Sequence, residues 1–252
     1  MSESVVIVTG GSRGIGAAAA LRLAAPGTTV LLTYVSSPAR ADEVVAGIRA
    51  RGGKAVALQA DVASEADCLK TFAEADRLGR LTGLVNNAGV VDVAAPLTDM
   101  SFERLRRMFD VNVLGTMICA REAVKRMSTA HGGKGGGIVN LSSASAKLGS
   151  PSQYIDYAAA KGAIDTFTVG LAKEVAREGI RVNAVRPGII ETEIHASGGD
   201  PDRAARMAAE LPMGRAGTAN ECAEAIAWLL SDAASYTSGA ILDVSGARAV
   251  VP

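Results

Sequence analysis

Tyr157 and Lys161 stand four residues apart in an alanine-rich run, Tyr157-Ala158-Ala159-Ala160-Lys161. On a helix that spacing puts both side chains on one face, so a phenol and an ammonium can share one site. A free phenol, with a pKa of about 10, is a poor base at neutral pH; a neighbouring ammonium stabilises the phenolate and lowers that value. Such a pair can give a proton to an oxygen or take one from it. Ser142-Ser143 ends an apolar run shortly before, and the Ser143 hydroxyl is the candidate to hold a substrate oxygen by a hydrogen bond. Ser142 and Ser145 stand as alternatives for that place. Tyr154 is a second tyrosine nearby, but four residues on it meets Ala158 and no cation, so it reads as pocket wall or packing. A tyrosine and a lysine at this spacing are also common on helix surfaces, so the weight of the pair comes from its surroundings.

A scaffold must bring these groups together at strand ends. Short runs rich in Val, Ile and Leu at 4–9, 28–33, 55–59, 83–86, 137–142, 181–186 and 240–244 alternate with helical patterns at 15–25, 39–51, 65–78, 102–126, 155–177 and 220–230. The alternation predicts an α/β fold, a Rossmann-type doubly wound parallel sheet of seven strands with helices on both faces. The 252 residues fit one domain built on one sheet. Segment 193–217, with Gly198-Gly199 and Pro201, follows a strand end and is expected to be a substrate lid, an ordered loop helix being the plainer reading. His195 lies in it, in a surface or substrate-contact role.

Lys plus Arg number 26 and so do Asp plus Glu, so no net field favours a nucleic acid or an anionic membrane as partner. No apolar run reaches about 18 residues and no basic n-region precedes the first one, which predicts an untargeted cytoplasmic protein acting on a small molecule. Cys68, Cys119 and Cys222 lack metal spacing and are expected as buried apolar residues in a reducing compartment. No His, Cys, Asp and Glu set has ligand spacing, so metal-free chemistry is expected.

The first strand ends in Thr9-Gly10-Gly11-Ser12-Arg13-Gly14-Ile15-Gly16, where a helix starts at once. Glycines there let the backbone turn tightly and approach a ligand, and the unpaired N–H groups of the helix start suit a pyrophosphate. The G-x-x-x-G-x-G spacing supports a dinucleotide by analogy with the commoner fingerprint, beside the plainer reading of a tight turn. An acid after the second strand would bind the ribose 2′-hydroxyl of NAD and repel the 2′-phosphate of NADP. That segment reads Thr33-Tyr34-Val35-Ser36-Ser37, without an acid; the hydroxyls of Tyr34, Ser36 and Ser37 and the Arg13 guanidinium suit a phosphate. NADP(H) is therefore expected ahead of NAD(H), with Arg40 read as a helix-face charge. Asp61-Val62 closes the third strand where an adenine would lie, and Asn86-Asn87-Ala88-Gly89 closes the fourth beside it.

Thr9-Gly10 through Gly16, Asn87-Ala88-Gly89, Asn112, Ser143, Tyr157, Lys161 and Pro187-Gly188 together resemble the short-chain dehydrogenase/reductase family in order and spacing, over nearly the whole chain. The resemblance implies hydride transfer between NADP(H) and a carbonyl or secondary alcohol, with a tetrad of Asn112, Ser143, Tyr157 and Lys161. It implies that Lys161 also binds the nicotinamide ribose, that Asn112 holds a proton-relaying water, and that Thr192 binds the carboxamide with backbone help from Ile190. It implies a homotetramer with helix 102–126 and the Tyr157 helix at a subunit interface; the apolar tail 249–252 hints at another. The pattern looks most like 3-oxoacyl-carrier-protein reductases and glucose dehydrogenases. One departure is that Ser143 and Tyr157 are one residue further apart than is commonest, an insertion that loop 144–153 can absorb through Gly149, Pro151 and Ser152. The alternatives are an NAD-dependent sugar or polyol dehydrogenase of the same family and a catalytically silent dinucleotide-binding regulator.

Overall fold

The computed structural model describes residues 3–250, and among them seven strands form one parallel sheet. These are β1 (Ser4–Val8), β2 (Thr28–Tyr34), β3 (Lys54–Gln59), β4 (Arg80–Asn86), β5 (Gly136–Leu141), β6 (Ile180–Pro187) and β7 (Ile241–Val244), arranged β3-β2-β1-β4-β5-β6-β7. The intervening helices are α1 (Gly14–Leu23), α2 (Pro38–Ala50), α3 (Glu65–Leu78), α4 (Phe102–Phe109), α5 (Gly115–Met127), α6 (Ser145–Leu148), α7 (Ile155–Val175), α8 (Ile194–Ser197), α9 (Arg203–Met207) and α10 (Ala219–Leu230). Strand alternation sorts side chains to two layers. Val5, Ile7, Leu31 and Ile138 pack against Phe72 of α3, Met127 of α5 and Val175 of α7. Val8, Val30, Leu32 and Val139 pack instead against Ala19 of α1, Ile48 of α2 and Ile226 of α10. The strand order reverses between β1 and β4, so the crevice above their carboxyl ends is where such a sheet takes a ligand.

The elements differ from the sequence expectation in two places, each with a local cause. Strand β4 begins at Arg80 rather than 83, because a bulge between Val5 and Val6 inserts Thr82 and breaks the alternation on which the boundary was read. The expected helix 102–126 is interrupted by a π turn over Asp110–Leu114, which joins α4 to α5. Asn112 lies in that turn and its amide donates to the Met108 carbonyl at 3.0 Å, satisfying an acceptor the widened turn leaves over. Three helices start at side-chain caps: Ser64 at α3, Ser101 at α4, and Thr218, which forms a capping box with Glu221, at α10.

Cys68 of α3 and Cys119 of α5 are buried and their sulfurs meet at 3.7 Å, while Cys222 is buried in α10. Of the tail, Ala249 is buried and Val250 is exposed; Val251 and Pro252 lie outside the described residues. No helix among the described residues is long and apolar enough to cross a membrane, and no group of three or more potential metal ligands occurs there.

A buried polar chain ties the sheet to the helices at its carboxyl edge. Asn86 and Asn140 are in register on β4 and β5; the Asn86 amide donates to Asn140 Oδ1 at 2.9 Å and to the Thr116 carbonyl at 3.3 Å. Asn140 in turn donates to Thr168 Oγ1 of α7 at 3.0 Å. Replacing Thr168 with valine leaves the Asn140 amide a buried donor without its acceptor, a loss of about 1–3 kcal/mol. Urea unfolding of Thr168→Val is expected to show a lower midpoint by that amount at unchanged slope.

Candidate active site

The Gly-rich turn is fixed from both neighbouring strands. Gly10 N–H donates to Thr33 Oγ1 at 3.2 Å and Gly11 N–H to the Thr33 carbonyl at 2.8 Å, which ties the turn to β2. On the other side the Asn87 amide donates to the Thr9 and Gly10 carbonyls at 2.9 and 3.0 Å, and Asn87 and Ala88 N–H both donate to Thr9 Oγ1 at 3.0 Å. A side chain at Gly16 would lie 2.4 Å from that Asn87 amide, so glycine is required there by close approach, while Gly10 and Gly14 take positive φ of 63° and 54°. Helix α1 starts with no acid in its first turn and no side-chain cap from Arg13. Its first N–H groups therefore remain available to an anion, and the residues here fit a pyrophosphate.

One cleft brings together Gly89, Ser143, Tyr157, Lys161, Pro187, Gly188, Ile190 and Thr192, with Ile15 from the turn and Ile194 and His195 from the segment beyond β6. The Tyr157 helix is oriented by Asp156, buried in its first turn. Arg104 of α4 grips that carboxylate through two nitrogens at 2.8 and 3.3 Å, and Asp156 Oδ1 also accepts the Tyr157 N–H at 2.9 Å. Lys161 is only 4% exposed, and its Nζ donates to the Leu141 carbonyl at 2.7 Å. The neighbouring loop is held by Asn112, whose Oδ1 accepts Val90 N–H at 3.2 Å while its amide donates to the Val90 carbonyl at 3.0 Å. A side chain at Gly89 would fall 2.7 Å from Asn112 Oδ1 and 3.5 Å from Lys161 Nζ, so glycine is what lets these groups converge.

The serine alternatives separate by geometry. Ser142 Oγ is turned toward the α7 backbone, donating to the Lys161 carbonyl at 3.4 Å, and Ser145 begins a short helix. Ser143 Oγ accepts Ser145 N–H at 3.1 Å, leaving its own proton free to point into the cleft that it shares with Tyr157. Just beyond, Gly149, Ser150 and Ser152 all adopt positive φ, in the loop expected to absorb the extra residue.

Burial pushes the Tyr157 pKa up, with only Ser143 acting the other way. Lys161 Nζ sits 5.6 Å from the Tyr157 ring centre, engaged by Leu141, and burial pushes its own pKa down to about 8 against the raising effect of Asp165. Tyr154 does have a cation, supplied from outside its helix, for the Arg203 guanidinium lies over its ring at 5.2 Å. Arg13 is exposed and lines the neighbouring hollow with Val90–Asp92 and Arg107. Arg40, read as a plain helix charge, instead pairs across the turn with Glu193 at 2.8 Å.

Asp61 and Val62 are not part of the cleft around Tyr157. One Asp61 oxygen accepts Ala63 N–H at 3.0 Å, and Val62 packs against Gly115 of α5. His195 Nε2 lies 2.8 Å from the Ile190 carbonyl, and burial pushes its pKa down. The grip of Arg104 on Asp156 and the Arg40–Glu193 pair had no sequence signal, since partners 52 and 153 residues apart are joined only by the fold.

Known proteins agree with this architecture. The family described as Enoyl-(Acyl carrier protein) reductase matches residues 10–246. The chain is 50% identical to the Uncharacterized oxidoreductase YgfF of Escherichia coli, over 97% of this chain and 100% of that one. It is 39% identical to a 3-oxoacyl-[acyl-carrier-protein] reductase of Synechocystis sp., covering 98% and 97% of the two chains. It is 37% identical to Glucose 1-dehydrogenase 2 of Bacillus subtilis, covering 100% and 97%. A short-chain dehydrogenase/reductase from Serratia marcescens superimposes with a TM-score of 0.87 at 33% identity, over 98% of each chain. A blue fluorescent protein from a metagenomic library, in complex with NADPH, gives 0.88 at 35% identity over 98% of each. The sheet, its carboxyl-edge cleft and these relatives define an oxidoreductase that works with a nicotinamide dinucleotide. The chain belongs to the short-chain dehydrogenase/reductase family.

Because Lys161 is held charged in a dry site, it opposes folding. Its folded pKa of about 8 lies below the ordinary lysine value, so the penalty is complete below pH 8 and is relieved as pH rises toward that ordinary value. Lys161→Met is therefore expected to raise unfolding free energy at pH 7 by about 1–4 kcal/mol. In denaturation curves run from pH 7 to 10, this gain should shrink above pH 8.

Proposed function

We propose that this chain is an NADP(H)-dependent reductase/dehydrogenase that moves a hydride between the nicotinamide and a carbonyl or secondary alcohol, with Asn112, Ser143, Tyr157 and Lys161 as its tetrad. The carrying observation is the convergence of Ser143, Tyr157 and Lys161 in one cleft with Gly89 and Thr192. The dinucleotide would be held by Gly10, Ser12, Gly14, Ile15 and Gly16 at the α1 start, by Asn87, Ala88 and Gly89, and by Pro187, Gly188, Ile190 and Thr192. The adenine would fall beside Asp61 and Val62. Bound there, the nicotinamide supplies or accepts the hydride.

Tyr157, kept protonated by burial, is ready to give its proton to a carbonyl oxygen in the reducing direction. Ser143, with its oxygen already accepting Ser145 N–H, donates its own proton to the same substrate oxygen. Lys161, charged below about pH 8, favours the phenolate that forms when Tyr157 loses its proton and would also hold the ribose. Asn112 keeps loop Gly89–Val90 in place and stands where a relaying water would be anchored.

NADP(H) ahead of NAD(H) is supported by the absence of an acid at the β2 exit and by the NADPH complex among the structural neighbours. Tyr34, Ser36 and Ser37 offer hydroxyls to the 2′-phosphate, and Arg13 and Arg40 are the two guanidiniums that can reach it from the turn and from α2. The chain acts as one catalytic domain with a lid at 193–217, whose ends are joined by Glu191 N–H to the Gly217 carbonyl and Gly217 N–H to the Ile189 carbonyl, both 2.9 Å. A homotetramer is supported by exposed Phe102, Phe109 and Leu114 along α4 and the π turn and by open space at Gly162 and Gly170 on α7. The free thiols fit a cytoplasmic location.

Fluorescence titration with NADPH and NADH, followed by a carbonyl panel read at the nicotinamide absorbance, tests the reading. Tight NADPH binding with turnover of one carbonyl class supports it; binding without any turnover favours the silent regulator. Tyr157→Phe is expected to keep NADPH affinity and lower turnover at least about 100-fold. In the same titration Arg13→Ala and Arg40→Ala should weaken NADPH far more than NADH, and equal losses would favour NAD.

A further inference from the structure

Beyond Tyr157 the cleft opens into a second hollow walled by Ser143, Tyr154, Tyr157, His195, Arg203 and Arg248. It opens directly off the cleft, since Ser143, Tyr157, Gly188, Ile194 and His195 line both. Two guanidiniums line it and no Asp or Glu does. Arg203, from α9 in the lid segment, is held flat over the Tyr154 ring, and its Nη2 donates to Gln153 Oε1 at 3.0 Å. The nearest carboxylate, Asp200, is 3.8 Å away and pairs with Arg206 as well. Arg248, from the tail, makes no side-chain hydrogen bond or ion pair among the described residues. Burial and the positive charge of Arg203 both push its pKa down.

Arg248 is nevertheless firmly placed. The preceding Ala247 takes a left-handed φ of 67°, the following Ala249 is buried, and their turn is closed by Arg248 N–H to the Ser245 carbonyl at 3.1 Å and Ala249 N–H to Ser245 Oγ at 3.2 Å. A backbone conformation unfavourable to alanine is kept, and it holds at the wall of a pocket a cation with no ion-pair partner among the described residues. Arginine stays charged, so an anion between the two guanidiniums would relieve their repulsion.

We propose that Arg203 and Arg248 form an oxyanion-binding site, so that the substrate is a carbonyl compound, or the matching alcohol, carrying a carboxylate or phosphate beside the group that reacts at Tyr157. This rests on reading Tyr157 as the proton donor. Because one arginine belongs to the lid and the other to the tail, the bound anion also joins the lid to the body of the protein.

The test pairs oxo acids with their methyl esters as substrates of the whole protein with NADPH. The acid is expected to be preferred by about tenfold or more in kcat/KM, mainly through KM. Arg248→Gln should cost the acid about tenfold more than the ester, and Arg248→Lys should restore part of the difference. Calorimetry with malonate and with inorganic phosphate reads the site without turnover: binding is expected in the wild type and lost in Arg248→Gln, malonate alone indicating a carboxylic acid and phosphate alone a phosphorylated carbonyl. Equal turnover of acid and ester, or anion binding that survives Arg248→Gln, overturns the proposal. Anion binding that depends on Arg248, with no carbonyl turned over, upholds the oxyanion site and overturns the reductase reading.

Discussion

Burying a lysine ammonium costs several kcal/mol unless other groups replace its water, and Lys161 is enclosed almost completely. Much of the carboxyl edge is arranged around that constraint. The Leu141 carbonyl at the end of β5 takes one of its protons, and Ser142 pins the Lys161 backbone to the same strand end. Gly89 leaves space on the other side, where a side chain would crowd Asn112 Oδ1 and touch the ammonium. Asp165, one turn further along α7, lowers the cost electrostatically. It does so while paired with Arg186 at 2.6 Å, and Arg186 also binds Asp243, the partner of Lys147. The ammonium is thus kept charged at neutral pH yet easily discharged, a state that a solvated helix lysine does not reach.

The groups proposed for chemistry sit on rigid elements, and the groups that bound the substrate pocket do not. Ser143 follows a central strand, Tyr157 and Lys161 share the first turns of a long helix, and Asn112 is fixed in a π turn by bonds to Met108 and Val90. Lys161 and Asn112 are backed by polar partners of their own side chains, which hold a side chain in one rotamer better than loop contacts do. His195 and Arg203 belong to the segment between the joined residues Ile190 and Gly217, where Ala204, Leu211 and Ala216 pack on Ile189 just beyond β6. In the proposed reading this segment is the lid, and substrate choice could change there without disturbing proton transfer.

The α/β alternation, the parallel sheet and the convergence of the Gly-rich turn, Ser143, Tyr157 and Lys161 were legible in the sequence alone. Strand periodicity, helix spacing and a four-residue offset are local properties, and a doubly wound sheet gathers its strand ends along one edge. The loop carrying Gly149, Pro151 and Ser152 was legible as a turn, and Gly149, Ser150 and Ser152 there take positive φ. What tertiary structure decided was the electrical state of these groups and their long-range partners. Burial raises the Tyr157 pKa and lowers that of Lys161, and burial is set by the whole fold. The π turn at Asn112, the Arg104–Asp156 grip, the Arg40–Glu193 pair and the meeting of Arg203 with Arg248 bring together residues with no local pattern between them. Only the packing of helices and loops over the finished sheet determines which distant charges meet, because charge pairing depends on separation in space and not on spacing along the chain.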